Sequence, residues 1–127
     1  MASLQKSGLL CAIGIATSLT NTSQQWDFPN RWAPVEHLIA KGLLHSRSEE
    51  AIKLAEDIAT RWVRTNYAAY KATGAINEKY DVEACGKSGG GGDAIFIKNT
   101  GTHTNPKIYV QANRAAFSDI LVFVQRE

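Results

Sequence analysis

The stretch from Arg47 to Thr73 constrains this chain more than any other. Ala51, Leu54, Ala55, Ile58, Ala59, Trp62, Val63, Tyr67 and Tyr70 recur at three- and four-residue steps, while Glu49, Glu50, Lys53, Glu56, Asp57, Arg61 and Arg64 largely take the other side. That spacing predicts an amphipathic helix with one buried face. Ser46-x-x-Glu49 has capping-box spacing at its start, and Gly74 is placed to end it in a left-handed conformation that glycine adopts cheaply. The apolar face is broad and aromatic for a chain of 127 residues, so it calls for more partner helices than the sequence provides. Trp62, Tyr67 and Tyr70 read as core packing in preference to ligand contact.

A shorter helix precedes it. Pro34 suits a first helical turn, where its missing N–H would have no intrahelical partner anyway. Val35, Leu38 and Ile39 then share a face, and Lys41-Gly42 predicts the stop. Residues 8 to 19 form an apolar run after Lys6, too short to span a bilayer. From composition it reads equally as the apolar part of a signal peptide or as a buried segment of a globular domain. Thr20-Asn21-Thr22-Ser23 favours a turn, and Asn21-Thr22-Ser23 is a glycosylation sequon that matters only in a secreted chain.

Beyond Gly74, Ala75 to Val82 alternates enough for an extended piece, with Glu78 and Tyr80 on one side and Lys79 and Asp81 on the other. Gly86-Lys87-Ser88 leads into four successive glycines, 89 to 92, which suit either a flexible linker or a close approach of backbone to a ligand or another segment. Further on, Ile95-Phe96-Ile97 and Ile108-Tyr109-Val110 look like short strands, and Ala115 to Val124 fits helix or strand.

Several function classes are disfavoured. The 14 basic and 12 acidic residues are interspersed, so the net charge of +2 provides no basic stripe for nucleic acid. His37, His45, His103, Cys11 and Cys85 have no metal-site spacing, so no metal or cofactor is expected, and the two distant cysteines do not suggest a disulfide framework. Gly86-Lys87-Ser88 fails as a phosphate loop. Asp81 stands where the leading glycine is needed, and glycines follow where a helix should begin. No Gly-x-Ser-x-Gly elbow supports a serine hydrolase.

The densest chemistry lies in Gln24-Gln25-Trp26-Asp27-Phe28-Pro29-Asn30-Arg31-Trp32-Ala33-Pro34. Two prolines, two tryptophans, amides and a carboxylate make a poor recipe for regular structure and a good one for a polar pocket. Aromatic faces cover the C–H side of a pyranose, and Asn, Gln and Asp match its hydroxyls. Asp27, Glu78, Asp81 and Asp93 are available carboxylates, and glycoside hydrolysis needs two, one protonated as acid and one ionised as base or nucleophile. The residues supply candidates without fixing a pair.

That stretch resembles the C-terminal signature of the trehalases of glycoside hydrolase family 37. Ala16-Thr17-Ser18-Leu19 resembles the segment before the signature, Asn66 with Tyr67 and Tyr70 the end of the intervening helix, and Glu78-Lys79-Tyr80-Asp81-Val82 with Gly89 to Gly92 the segment that holds the family's catalytic base. The similarity spans roughly residues 7 to 93.

The resemblance implies a mainly α chain, an incomplete portion of an (α/α)6 barrel over residues 1–93, with a divergent tail of open structure over residues 94–127. It implies inverting hydrolysis of α,α-trehalose to two glucose molecules. Glu78 corresponds to the general base, and Asp93 stands where the family usually has a sugar-contacting glutamate one methylene longer. Gln25, Trp26, Asp27, Asn30 and Trp32 fall in the pocket-walling signature. Arg31 occupies a position usually small in relatives. The family's general acid and sugar-gripping arginines lie upstream of the matched segment, so the chain reads as a partial trehalase. Residues 8–19 then read as barrel interior. The implied partner is trehalose, with no nucleic acid and no membrane segment. Family members are secreted, anchored or cytoplasmic, which leaves compartment and oligomeric state open. The competing readings are an inactive trehalase fragment that binds sugar weakly or binds a full-length trehalase, and a small helical interaction module without a sugar role.

Overall fold

A computed structural model describes residues 2–74, 77 and 79–90. The described chain is mainly helical. A one-turn helix, α1 (Ala2–Lys6), leads into a looped segment, a short strand β1 (Asn30–Trp32), two helices α2 (Ala33–His45) and α3 (Glu49–Thr73), and a strand β2 (Lys79–Asp81). Glu78 and everything from residue 91 onward, including Asp93 and the strand expectations at 95–97 and 108–110, lie outside the described residues.

The helix expected over residues 47–73 is present as α3. Its buried positions, Ala51, Ala55, Ile58, Ala59, Trp62, Thr65, Asn66 and Ala69, follow the three- and four-residue steps of one face. Gly74 ends it at φ 69°, donating its N–H to the Tyr70 carbonyl, which is the cap that glycine permits without a Cβ penalty. Its start differs from the capping-box expectation. Ser48 is the N-cap, without a side-chain cap bond, while the Ser46 hydroxyl turns back to the Leu43 carbonyl at 2.7 Å and closes α2. Trp62 is buried as expected, but Tyr67 and Tyr70 are 62% and 55% exposed. The aromatic end of the helix face therefore has no cover among the described residues.

In α2, Pro34 sits in the first turn as expected, and the helix runs through Gly42 to His45 instead of stopping there. The face is also rotated from the apolar reading. Leu38 is 74% exposed, whereas Ala40 and Glu36 are buried. Alanines at Ala40, Ala51 and Ala55 allow α2 and α3 to approach closely, and Ile15, Ala40 and Ile58 form a core packed by Leu4, Leu9, Leu10, Ile39, Leu43 and Leu54. Residues 8–19 are thus a non-helical segment that buries its middle, Gly14 to Ala16, and exposes Leu19 at its end. A Leu10–Ile15 bridge folds it back on itself, and Ile15 and Ala16 are almost fully buried.

The end of the Gln24–Pro34 stretch is more regular than expected, because β1 pairs antiparallel with β2 in the register Asn30–Asp81, Arg31–Tyr80, Trp32–Lys79. Alternation sends Arg31 and Tyr80 to one face of this ribbon and Asn30, Trp32, Lys79 and Asp81 to the other. The first face seats on α3. Trp62 meets Tyr80 edge-on at 5.4 Å, and Ala33 and Ala69 complete that cluster. The Tyr80 hydroxyl donates to Asn66 Oδ1 at 2.8 Å and accepts from the Asn77 N–H at 3.0 Å.

Candidate functional site

Phe28 N–H bonds the Thr20 carbonyl, Asp27 N–H the Gln24 carbonyl and Asn30 N–H the Asp27 carbonyl, which rolls the signature loop into successive turns before β1 begins. The loop brings its side chains together. Trp26 stacks on Trp32 with ring centroids 4.0 Å apart and planes 12° from parallel, and the Trp32 indole N–H donates to the Gln25 carbonyl at 2.9 Å. On Trp32 the strand register brings Lys79, whose Nζ lies 5.4 Å from the ring centroid. Trp32 is buried, and Trp26 is 49% exposed, so the pair offers one open aromatic face with a rigid backing.

Asp27 accepts hydrogen bonds from the Thr22 hydroxyl and from the Ser18 hydroxyl at 2.8 Å. Those donors, Thr22 first, hold its carboxyl below the usual aspartate range, so it is ionised at neutral pH. Asn30 is buried with both ends of its amide engaged. Nδ2 donates to the Gln24 carbonyl at 3.3 Å, and Oδ1 accepts the Gly90 N–H at 2.9 Å. Asp81 pairs with Lys87 at 2.9 Å and caps the Glu83 N–H at 2.7 Å.

The glycine loop approaches another segment closely in the part that is described. Gly89 donates its N–H to the Lys79 carbonyl, Lys87 accepts from the Asp81 N–H, and Ser88 bridges Tyr80, so the loop lies along β2. A Cβ on Gly89 would stand 2.3 Å from Asn30 Oδ1 and 2.8 Å from Lys79 Cγ, leaving no room for any side chain. Gly91 and Gly92 lie outside the described residues.

Behind the site, Arg31 holds the signature strand. It is fully buried, with Nη1 bonded to the Ile13 carbonyl and 3.3 Å from Glu36 Oε1, and its guanidinium carbon lies 5.1 Å from the Trp62 ring centroid. Glu36 Oε1 also accepts the Ile15 N–H at 2.8 Å. Burial pushes the Glu36 carboxyl up to about 7, offset in part by Arg31 and by the Ile15 N–H. Burial likewise lowers the Arg31 guanidinium from its ordinary value, so for both partners desolvation outweighs attraction. Gly14 makes room for the pair, since a Cβ there would meet Arg31 Nη1 at 1.8 Å and Glu36 Oε1 at 2.5 Å.

Gln25, Trp26, Asp27, Asn30 and Trp32 are therefore gathered around one loop and one strand. Glu78, one residue before β2, and Asp93 lie outside the described residues. Sequence reasoning missed the packing of Lys79 on Trp32 and the Arg31–Glu36 pair. The alternation of Lys79 with Asp81 on one side of the extended piece was the available signal for the first; the pair has none in any periodicity. Among the described residues no group of three or more His, Cys, Asp or Glu could hold a metal ion, and no helix is long and apolar enough to cross a membrane.

A family model described as Trehalase matches residues 1–101. The chain belongs to the trehalase family. It is 76% identical over 93 residues to a probable trehalase of Oryza sativa subsp. japonica, covering 73% of this chain and 16% of that protein. Identity to the trehalase of Arabidopsis thaliana is 50% over 98 residues, or 77% of this chain and 15% of the relative. With the trehalase of Homo sapiens it is 48% over 80 residues, or 63% of this chain and 14% of the relative. The chain thus spans about one sixth of the length of its rice relative.

Proposed function

We propose that this chain supplies one wall of an α,α-trehalase site, within a unit covering residues 1–93 that forms part of an (α/α)6 barrel, with residues 94–127 a separate tail. Gln25, Trp26, Asp27 and Trp32 form the sugar-facing wall with the buried Asn30 behind it, Asp93 adds a carboxylate contact, and Glu78 is the general base. The observation that carries the reading is the exposed face of Trp26, stacked on Trp32 beside an ionised Asp27 in a chain of the trehalase family. A pyranose C–H face suits that ring, and the carboxylate suits its hydroxyls.

In the inverting mechanism an acid protonates the glycosidic oxygen while Glu78 deprotonates water on the opposite face, the two carboxyls standing about 6.5–9.5 Å apart. The acid belongs to sequence outside these 127 residues, a reading supported by the 16% of the rice relative that the match covers. The isolated chain then binds trehalose without turning it over. Millimolar trehalose should alter its tryptophan fluorescence with no release of glucose; absence of any response sinks the sugar-wall reading. In a polypeptide that also carries the acid, Glu78→Gln should remove most turnover with the fold intact, and full retained activity would rule out the role of Glu78. The exposed Tyr67–Tyr70 face favours a second reading, in which the chain docks on a full-length trehalase. A complex with that enzyme seen by sedimentation, with no trehalose response, would select it.

A further inference from the structure

The Asn30 side chain spends its polar atoms inside the protein. The residue is 2% exposed, and its amide reaches two separate segments, the Gln24 carbonyl within the signature loop and the Gly90 N–H sixty residues further along the chain. Oδ1 also fills the space that a Cβ on Gly89 would take. The glycine loop is therefore fitted to Asn30 from two sides, by a hydrogen bond at Gly90 and by steric exclusion at Gly89. Its other ties run to β2, through the Lys79 carbonyl, the Asp81 N–H, the Tyr80–Ser88 bridge and the Lys87–Asp81 ion pair. Asn30 connects the loop directly to the signature strand by a hydrogen bond from its own side chain.

We propose that Asn30 is a positioning residue, which acts on the sugar site by fixing the start of the glycine run against β1 and not by touching sugar itself. The proposal rests on the sugar-wall reading above. The run continues to Asp93 in sequence, and β2 begins one residue after Glu78, so the clamp joins the signature to both segments that bear the proposed carboxylates. An asparagine suits the task because it donates at one end and accepts at the other in a fixed plane. Glycine at 89 suits it because any side chain would evict the amide oxygen.

A double-mutant cycle on the full 127-residue chain tests this, with amide hydrogen exchange of Gly90 and the trehalose-dependent change in tryptophan fluorescence as readouts. Asn30→Ala removes the acceptor and should cut Gly90 protection about tenfold, the scale of one lost hydrogen bond, and weaken trehalose binding by a similar factor. Asn30→Asp should recover most of both only at a pH low enough to protonate its carboxyl, because the ionised form sets an oxygen against the Gln24 carbonyl in a buried site. Gly89→Ala carries no group that could contact sugar, yet it should reproduce the Asn30→Ala loss, and the double variant should lose no more than either single. Multiplying losses would mean that Asn30 touches sugar directly, and would overturn the proposal. Unchanged Gly90 protection in Asn30→Ala overturns the clamp, and lost protection with unchanged trehalose affinity reduces it to a purely structural contact. If the unsubstituted chain shows no response to trehalose, the sugar-wall reading fails and takes the positioning role with it, while the exchange data still judge the clamp.

Discussion

The two faces of the β1–β2 ribbon are built from the same six residues and meet opposite demands. Arg31 and Tyr80 point to α3 and are fully buried, with Trp62 against both. Asn30, Trp32, Lys79 and Asp81 point the other way and, among the described residues, are covered by loops, the signature turns on one side and residues 87–90 on the other. The first face derives its hold from packing against a long helix. The second depends on directed hydrogen bonds and one stacked pair. The packing that fixes the strands therefore does not draw on the side chains of the second face.

Substitutions should separate the two faces. The largest effect is expected for Trp62→Ala, which empties the contact shared by Arg31 and Tyr80 and should cost about 3–5 kcal/mol in urea unfolding. A loss below 1 kcal/mol would show that α3 does not anchor the ribbon. Gly14→Ala should follow at about 1–3 kcal/mol or more, since its methyl collides with both members of the buried ion pair. Glu36 makes the core face pH-sensitive. Burial raises its native pKa to about 7 from 4.5, so in that window the folded chain holds a proton that the unfolded chain releases. Stability should therefore fall as the pH rises from about 4.5 to about 7, by at most about 1.4 kcal/mol per pH unit, and level off above. Glu36→Gln keeps an oxygen for Ile15 and Arg31 and should flatten that slope; an unchanged slope would assign it to another group. The smallest stability change belongs to Trp26→Ala on the other face, about 0.5–1.5 kcal/mol for the stacked pair. It should nevertheless abolish the fluorescence response to trehalose, and a response that survives would move the sugar elsewhere.

What could be read from the sequence divides along similar lines. Long-range periodicity revealed α3 and Gly74 its end, because a helix of 25 residues averages over local exceptions. Short elements gave a weaker signal. Alternation from Ala75 to Val82 marked the piece that holds β2, whereas β1 is three residues at the end of a turn-rich loop, and a serine three residues before a glutamate can as easily close the helix behind it, as Ser46 does. The face of α2 was read from Val35, Leu38 and Ile39, whereas the molecule buries Glu36 because Arg31 waits for it across the turn. Arg31 read as a minor departure at a position usually small in relatives and lies at the centre of the core. A polar pair buried by mutual need has no signature in hydrophobic pattern. The cluster from Gln25 to Trp32 was legible because its residue types are specialised for a shaped polar surface, and the amide of Asn30 was not, since only geometry tells an amide facing ligand from one facing backbone.

The ribbon also orders assembly in time. Its strands flank the whole α2–α3 pair, so neither can find the other until both helices have formed and turned the chain back. Contacts of such wide sequence separation bear the closure entropy of everything between them and form late. During refolding, helical circular dichroism should develop before the emission of Trp32 settles. The Trp26–Trp32 stack then becomes a record of completed folding, present only in molecules whose core is already closed.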